Sequence, residues 1–223
     1  WNIKHKNIID QPLIQFQLAN PDAFPNSIIR DTRTARDIAV GAPGALRGAG
    51  SDLEAGLFRL YFNIAQQKAE GIDVSARYRH DMGDWGRLTS QLEASYNITY
   101  KFAAAPGQPL QEFNGTYRYP RWRGNLTLDW ERGPWNTTVF VNYIHHYLQQ
   151  NVVPNTPRDV DTWTTTDLQL QYKGFKNWTL AGGIKNLFDR DPPFSNQETQ
   201  GYDFTTHNPV GRFFYGRVKY AFQ

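Results

Sequence analysis

Two adjacent histidines, His145 and His146, are residues whose type could bind a metal ion. Imidazole is a common zinc ligand, but adjacent side chains on a strand point to opposite faces, so we expect a polar pair at a strand end. Three carboxylates, Asp189, Asp191 and Asp203, could offer oxygen ligands to calcium. Their spacing matches no known calcium loop, and Asp is a common turn residue. The sequence therefore predicts turns rather than a metal site, and it predicts no cofactor.

Other residues with catalytic potential have simpler structural explanations. The glycine-rich stretch GAPGALRGAG, residues 41–50, lacks the Gly-Lys-Ser/Thr step of a phosphate-binding loop and is expected to be a flexible loop. Asp129 and Glu131 lie two positions apart and share one face of a strand. A ladder of salt bridges explains them better than acid–base catalysis does. No set of nucleophile, base and acid stands out, so we expect a protein that is not an enzyme.

The composition favours a β-protein. The chain has 223 residues, of which 15% are aromatic, and a mean hydropathy of -0.64. It contains no run of about 18 apolar residues, which a transmembrane helix requires, and no cysteine, which excludes disulfides and thiolate metal sites. The net charge of +3 comes from mixed signs along the chain, so we expect no nucleic-acid partner. Trp1 begins inside a strand-like pattern, so we expect a piece of a longer chain.

Apolar and polar residues alternate in eight segments, and this period of two is typical of β-strands. In 87–102, an apolar set from Leu88 to Phe102 opposes a polar set from Arg87 to Lys101. The eight segments are 1–9, 72–79, 87–102, 121–131, 135–143, 162–172, 178–188 and 211–223. Phe140 is an exception, because it falls in the polar set of its segment.

The connections between these segments alternate between short turns and long loops. Short turns are expected at 80–84, 131–134 and 173–177, and long loops at about 10–55, 103–118, 148–160 and 189–210. This order predicts an antiparallel meander with its tight turns at one end and its large loops at the other. Bacterial outer-membrane barrels have this asymmetry, with short periplasmic turns and long outer loops. Because the last strand runs toward the tight turns, we expect a periplasmic C-terminus.

Alternation alone does not decide what the apolar faces contact. In a soluble sandwich they would meet a second sheet, whereas in a membrane barrel they would meet lipid while the polar faces line the lumen. The membrane is favoured because the polar faces are densely ionic and because amphipathic rings, which are most stable at the headgroup level, lie near the strand ends. These aromatic residues are Trp85, Trp122, Trp130, Trp135, Tyr143, Tyr172, Trp178, Tyr220 and Phe222.

Five stretches carry a more specific pattern. They are KAEGIDVSARYRHDMGDWGRL at 68–88, YPRWRGNLTLDWERGPWNTTVFVNYIHHY at 119–147, DTWTTTDLQLQY at 161–172, GGIKNLFDRDPPF at 182–194 and GRFFYGRVKYAF at 211–222. A Gly-Ile-Asp strand opening, an Asn-Leu-Phe-Asp stretch before a Pro loop and an aromatic last strand follow in this order. Over about residues 56–222, the chain thus resembles TonB-dependent outer-membrane receptors. The family usually ends on the aromatic residue itself, whereas here Gln223 follows Phe222.

This resemblance implies an all-β, transmembrane, antiparallel meander β-barrel of 22 strands, of which residues 1–223 supply about the last eight. The plug domain that fills the lumen and the earlier strands would lie outside this chain. The implied function is active uptake, at the cell outer membrane, of a scarce ligand such as a siderophore, cobalamin, a sugar or a peptide. The implied partners are outer-membrane lipid, the protein's own plug and earlier strands, the TonB complex through the plug, the barrel-assembly machinery at the last strand and a small-molecule or oligomeric ligand.

Two groups of residues are expected to carry this function. On the outer loops, cationic and aromatic side chains suit an anionic chelate or a sugar. These loop candidates are Arg30, Arg33, Arg36, Tyr117, Arg118, His146, Tyr147, Tyr202, Phe204 and His207. On the inner face, charged side chains are expected to hold the plug by polar contacts. These plug-facing candidates are Arg77, Arg79, Arg87, Glu93, Arg121, Arg123, Asp129 and Glu131.

Two other interpretations stay open at this point. A self-contained barrel of eight strands, acting as a passive pore or an adhesin, would have a narrow interior filled by side chains. A soluble carbohydrate-binding sandwich would remain in solution without detergent. Its core would bury Leu92, Ile98, Leu126, Leu170 and Val218 together, so the exposure of these five side chains tests the sandwich.

Overall fold

The computed structural model is of an all-β chain. It describes residues 1–10, 17–18, 21–24, 27–46, 56–57, 61–103, 108–149 and 158–222. The strands are β1 (Asn2–Asp10), β2 (Phe62–Asp81), β3 (Arg87–Ala103), β4 (Gln111–Glu112), β5 (Trp122–Arg132), β6 (Trp135–Ile144), β7 (Tyr147–Leu148), β8 (Asp159–Val160), β9 (Trp163–Tyr172), β10 (Trp178–Lys185) and β11 (Phe213–Tyr220). The structure also contains a helix, α1 (Ala35–Ala39), and two 3-10 turns, Pro21–Ala23 and Gly83–Trp85. Residues 47–50 of the glycine-rich stretch and Gln223 lie outside the described residues.

Eight strands follow one another in a single sheet path, as the alternation predicts. The order is β1-β2-β3-β5-β6-β9-β10-β11, β4 pairs with β3, and β7 and β8 form a separate pair. The pairs from β3 to β11 along this path are antiparallel. Neighbours in sequence are therefore neighbours in the sheet, which confirms the predicted meander. Among the described helices, none is long and apolar enough to cross a membrane.

Two compact units divide the chain. The larger contains Trp1–Asn2, Ala69–Tyr100 and Glu112–Gln223, and the smaller contains Ile3–Lys68 and Lys101–Gln111. In the smaller unit, α1 begins with a capping box in which Thr34 and Asp37 exchange side-chain-to-backbone hydrogen bonds. The residues considered below as a ligand site belong to the larger unit.

The strand register places the apolar residues in rows across one face of the sheet. Leu92 lies opposite Leu126, which in turn lies opposite Val141, and Leu180 lies opposite Val218. These rows do not form a buried core. The exposed fractions of Leu92, Ile98, Leu170 and Val218 are 43%, 51%, 46% and 65%, and Leu126 is half-buried. The sandwich would bury these five together, so their exposure argues against that interpretation.

The opposite face of the same strands is polar. Thr89 and Thr138 both lie opposite Asp129, and the carboxylate of Asp129 accepts hydrogen bonds from the Thr138 hydroxyl and from Asn136 at 2.8 and 2.9 Å. Phe140 lies on this face, as its position in the alternation predicts, and it pairs with Thr127. One face of the sheet therefore consists mainly of apolar groups and the other mainly of hydrogen-bonding groups.

Aromatic rings meet across neighbouring strands near the strand ends. The rings of Trp135 and Tyr172 are 4.5 Å apart, and those of Trp178 and Tyr220 are 4.8 Å apart. At the other end of the sheet, Tyr96 packs on Trp122 with 4.4 Å between ring centroids. The predicted strand-end positions of Trp122, Trp135, Tyr172, Trp178 and Tyr220 are confirmed.

Two strands are shorter in the structure than the sequence pattern predicts. The segment 178–188 ends at Lys185, and the last strand covers Phe213–Tyr220 rather than 211–223. The first difference has a local cause, because Asn186 adopts a left-handed φ of 47° and its backbone N–H donates to Asp167 at 2.8 Å. This turn leads the chain out of the sheet, so Phe188, predicted to continue the strand, lies outside it and is 66% exposed.

The tight turns lie where the sequence predicts them. The β2–β3 turn closes through a hydrogen bond from the Met82 N–H to the Gly86 carbonyl at 2.8 Å. Only Gly133 and Pro134 separate β5 from β6. In the β9–β10 turn, the Lys173 N–H donates to the Pro134 carbonyl at 2.9 Å, which joins two neighbouring turns.

Candidate ligand-binding site

The long connections of the larger unit contain a small hydrophobic core. Tyr117 lies between β4 and β5, Tyr147 begins β7 and Val160 ends β8, and these residues are 5%, 1% and 0% exposed. The two tyrosine rings meet edge to face with their centroids 6.4 Å apart. The β3–β5 and β6–β9 connections are thus held together by burial. We call these three residues with Arg118, Trp163, Glu198, Asp203 and His207 the loop cluster.

A buried carboxylate lies at the centre of the loop cluster. Asp203 is fully buried and accepts hydrogen bonds from the Tyr147 hydroxyl at 2.9 Å and from the Thr205 hydroxyl and N–H at 2.6 and 3.0 Å. Burial alone would raise the pKa of Asp203, but these hydrogen bonds outweigh it and hold the pKa below its usual value. Burial, and then the charge of Asp203, raises the pKa of Tyr147, so its hydroxyl remains a donor.

A second carboxylate joins the same cluster near its surface. Glu198 accepts a hydrogen bond from the Tyr117 hydroxyl at 2.6 Å and an ion-paired one from the Arg118 guanidinium at 3.0 Å. The guanidinium of Arg118 also lies over the ring of Tyr117, 5.2 Å from its centroid. Arg118 has a left-handed φ of 70°, which turns the chain at this point. These contacts connect the 113–120 segment with the 195–207 segment.

Two aromatic side chains of the cluster keep unpaired polar atoms. His207 is 3% exposed, stacks on Tyr147 with 5.9 Å between centroids and meets the edge of Trp163 at 5.3 Å. Neither ring nitrogen of His207, nor the indole N–H of Trp163, has a hydrogen-bond partner among the described residues. Burial lowers the pKa of His207, although the nearby charge of Asp203 opposes the shift.

A polar cavity of about 590 Å³ adjoins the loop cluster, with Trp163 in its wall. Its charged lining comes from Glu93, Arg123, Asp167 and Lys185, all on strands of the polar face. The other lining residues are Ala94, Ser95, Gly124, Asn125, Phe140, Asn142, Ile144, Thr165, Asn186, Thr206, Asn208 and Val210. Both signs of charge, several amides and two aromatic rings suit the binding of a polar molecule through hydrogen bonds.

The Asn-Leu-Phe-Asp stretch fixes one end of this cavity. The side-chain amide of Asn186, which is 5% exposed, donates to the carbonyls of Arg190 and Val210 at 3.0 and 3.3 Å. Its carbonyl accepts from the Arg190 N–H at 2.9 Å, and Asp189 accepts from the Arg212 N–H at 2.6 Å. Asp189 therefore has the turn role that the sequence predicts.

His145 and His146 form a polar pair directly after the end of β6, as the sequence predicts, but the expectation that they point to opposite faces was wrong. Strand β6 ends at Ile144, and the two rings meet edge to face with their centroids 4.3 Å apart. Each has its own partner, since His145 lies 3.0 Å from the Tyr143 hydroxyl and His146 lies 3.4 Å from Asp159. In the described ranges, no three His, Asp or Glu side chains lie close enough together to hold a metal ion.

The ten loop candidates fall into three groups. Tyr117, Arg118, Tyr147 and His207 meet in the loop cluster. His146, directly before β7, is exposed, Tyr202 is half-buried and Phe204 is 51% exposed. These three residues lie at the surface of the larger unit. The three arginines belong to the smaller unit. There, Arg30 donates to the Gly44 carbonyl at 2.8 Å, Arg33 donates to the Asp37 carbonyl at 3.3 Å, and Arg36 lies exposed in α1.

Most of the plug-facing candidates share the polar face. Arg77, Arg79, Asp129 and Glu131 line one pocket of about 150 Å³. Glu93 and Arg123 line the larger cavity. The other two lie at strand ends: Arg87 begins β3 and pairs with Asp81 at 3.7 Å, and Arg121 lies just before β5.

A family model described as "TonB dependent receptor-like, beta-barrel" matches residues 3–187. The chain belongs to the TonB-dependent receptor family. The structure adds the expected partial barrel, with eight long strands in sequence order that are antiparallel from β3 to β11. A search of curated protein sequences found no match.

Solved structures of receptors from the same fold match almost the whole chain. A mutant of the ferric enterobactin receptor PfeA from Pseudomonas aeruginosa in complex with enterobactin matches with a TM-score of 0.60. PfeA in complex with BCV-L6 matches with a TM-score of 0.59. In both comparisons the identity is 17%, and the match covers 99% of this chain and 28% of the receptor chain. The likeness shows the fold, and this chain spans little more than a quarter of the receptors' length.

Sequence reasoning missed the apolar Val160 and three polar or aromatic members of the loop cluster, Trp163, Glu198 and Asp203. Asp203 was assigned to a turn, and Glu198 and Trp163 were not considered as site residues. Their partners are distant in sequence, since Tyr147 lies 56 residues from Asp203 and Tyr117 lies 81 residues from Glu198. One signal was present, because Asp203 lies between Tyr202 and Phe204 in a loop that already held three candidates.

Proposed function

We propose that this chain forms the C-terminal barrel strands of an outer-membrane transporter that takes up a scarce ligand with energy from the TonB complex. The observation that carries the proposal is the two-faced sheet in a TonB-dependent receptor chain. Its apolar rows are exposed and its polar face is lined with charge. An exposed apolar face is stable in a bilayer, whereas in water it would need a partner surface.

Under this proposal, the apolar rows contact outer-membrane lipid and the polar face looks into the lumen. The plug-facing candidates, with Arg77, Arg79, Asp129 and Glu131 grouped in one pocket, contact the protein's own plug through polar interactions. The tight turns and the C-terminus are periplasmic, and the long connections are outer loops. The barrel-assembly machinery acts on β11. Phe222, the aromatic residue that follows this strand, is 90% exposed.

The loop cluster and the polar cavity are the proposed ligand-handling part of this chain. Tyr117, Tyr147 and His207 are buried, so they act by holding the loops together, and Arg118 and Phe204 are the accessible contacts beside them. The cavity then provides a polar route from the loops into the lumen. The ligand class is a siderophore, cobalamin, a sugar or a peptide, and the solved receptors with enterobactin make a ferric siderophore the first probe.

The test is uptake by cells that express the complete protein containing this chain. We expect uptake of at least one labelled member of a panel containing ferric enterobactin, cobalamin, oligosaccharides and peptides. Uptake should stop when the TonB gene is deleted. If uptake continues unchanged without TonB, the protein is a passive pore, which is the alternative function for a barrel of this kind.

A second measurement separates the transporter from a soluble binding protein. The protein should be recovered in the outer-membrane fraction and should require detergent for extraction. Recovery in the soluble fraction would contradict the proposal regardless of any ligand binding.

A further inference from the structure

The apolar face of β9, β10 and β11 contains a groove that its neighbours do not fill. Gly182 and Gly216 lie directly opposite each other in the β10–β11 pairing, and both are exposed. The groove over them has a volume of about 660 Å³, and its lining is mainly aromatic and aliphatic, including Trp135, Leu170 and Phe175, with Arg217 as the one charged residue among those described. A row of apolar side chains is thus interrupted at a pair of facing glycines.

Among the described residues, neither backbone geometry nor packing requires these two glycines. Neither has a positive φ. A Cβ at Gly216 would meet nothing within 4 Å, and at Gly182 its nearest neighbour would be the Tyr215 carbonyl at 3.8 Å. The adjacent Gly183 differs, because the ring of Tyr215 covers it on the polar face. Glycine in a strand interior lowers the stability of the strand, so the facing pair destabilises the sheet. The absence of side chains at these two positions keeps the groove open.

A second hollow continues the groove across Trp135. It has a volume of about 440 Å³, and its lining includes Trp130, Arg132 and Pro134. Trp135 and Leu170 line both hollows. Two elongated apolar groups could therefore lie side by side, one on each side of the Trp135 ring.

The tight-turn end of these hollows is cationic. Lys173 and Lys176 flank Phe175 in the exposed β9–β10 turn, and Arg132 lines the second hollow and lies over the Trp85 ring at 5.2 Å. Among the described residues, the ion pairs involve neither of these two lysines. Basic groups next to a bilayer interface attract anionic headgroups. Tyr172 and Trp135 are the amphipathic rings expected at that interface.

We propose that this surface binds one anionic glycerophospholipid, with an acyl chain in each hollow and its phosphate against the cationic turns. The occupant follows from three observations: two apolar hollows that share one ring, their position on the exposed apolar face, and unpaired lysines at one end. The inference rests on the proposed function, because it requires this face to lie in a bilayer. This proposal goes beyond general contact with lipid, because the site prefers an anionic headgroup and holds one lipid molecule.

The test uses the complete membrane protein, extracted in mild detergent and studied by native mass spectrometry. The probes are phosphatidylglycerol and phosphatidylcholine with identical acyl chains. We expect one retained phosphatidylglycerol and preference over phosphatidylcholine. Lys173→Gln and Lys176→Gln should each weaken retention by about fivefold. Lys219→Gln is the matched control, because Lys219 lies on the polar face of β11 and its loss changes the net charge equally.

Filling the groove tests the acyl-chain part of the site. Gly216→Leu should abolish phosphatidylglycerol retention, whereas Val139→Leu, which adds a methylene group to the same apolar face outside both hollows, should not. Gly182→Leu fills the groove from β10, and it replaces Gly216→Leu in this test if the Gly216 variant does not assemble. Equal retention of both lipids by all variants would overturn the proposal.

The outcome is separable from that of the transport assay. Normal membrane insertion and uptake without selective phosphatidylglycerol retention would overturn only the lipid site. Recovery of the protein in the soluble fraction would overturn both the lipid site and the transporter.

Discussion

At the residue scale, the Tyr147–Asp203 hydrogen bond is the contact on which the loop cluster depends most. The carboxylate of Asp203 is fully buried. Removing its hydrogen-bond donor leaves a buried polar group unsatisfied, and this costs more free energy than the hydrogen bond contributes to stability. Tyr147→Phe should destabilise the cluster by roughly 1–3 kcal/mol. We expect faster limited proteolysis within 195–208. Tyr143→Phe, which removes an exposed hydroxyl bonded to His145, is the control and should leave the cleavage rate unchanged.

The same cluster should respond to pH through His207. Burial depresses the pKa of His207 below its usual value of 6.5, so the opened loop binds a proton more readily than the closed one does. The stabilising contribution is complete above pH 6.5 and falls as the pH drops through that value. Asp203 has a depressed carboxyl pKa, so its contribution is present above 3.8 and is lost only below it.

His207→Phe separates these two groups. The variant keeps a ring against Tyr147 and Trp163 and removes two nitrogens that have no partner among the described residues. We expect the cleavage rate within 195–208 to rise between pH 7.5 and 5 in the parent protein and to stay constant in the variant. An identical pH response in both proteins would show that another group titrates.

Residue type alone selected four members of the loop cluster. Tyr117, Arg118, Tyr147 and His207 were predicted as ligand contacts because they are aromatic or cationic and lie in loops. The burial of Tyr117, Tyr147 and His207 could not be predicted, nor could the carboxylate partners of Tyr117, Arg118 and Tyr147, since those contacts join segments more than 50 residues apart. Contact of any of these residues with a ligand stays a prediction.

At the element scale, alternation predicted all eight strands because the side-chain period of a strand is visible in short segments. The ends were less accurate. A residue with positive φ, such as Asn186 after β10, stops the ladder without interrupting the apolar pattern. The short β4, β7 and β8 strands were missed, because two residues are too few to show a period.

The β2–β3 turn provides a test at this scale. Gly86 has φ 88° and ψ -148°, and a Cβ there would collide with the Glu131 carbonyl of the neighbouring hairpin. Gly86→Ala should therefore reduce the yield of assembled protein. Gly83→Ala is the matched control, because Gly83 has φ 60° but open space, and its cost should be about 1–2 kcal/mol. Heat-modifiable gel migration measures the assembled fraction, and equal yields would contradict the assigned turn geometry.

At the scale of the whole molecule, the two faces of the sheet should tolerate charge differently. Leu128 lies in an apolar row of β5 opposite Val139, and the adjacent Thr127 lines the polar pocket. Leu128→Arg should lower membrane insertion, since a cation on the lipid face costs about 2–4 kcal/mol at mid-depth. Thr127→Arg should insert normally. Insertion lost equally in both variants, measured by outer-membrane fractionation, would contradict the assignment of faces.

The Asn186 and Asp189 contacts have a consequence for the order of assembly. Every long strand from β5 onward pairs with the long strand before it, so the sheet can grow by successive hairpins, and each addition costs mainly the entropy of closing one loop. The segment 186–212 is the longest such closure from β5 onward. Its entry and exit are joined by the Asn186–Val210 and Asp189–Arg212 hydrogen bonds, which stabilise the closed loop once it has formed. These two bonds hold the base of the final hairpin after closure, so the residues between them are free to vary in number.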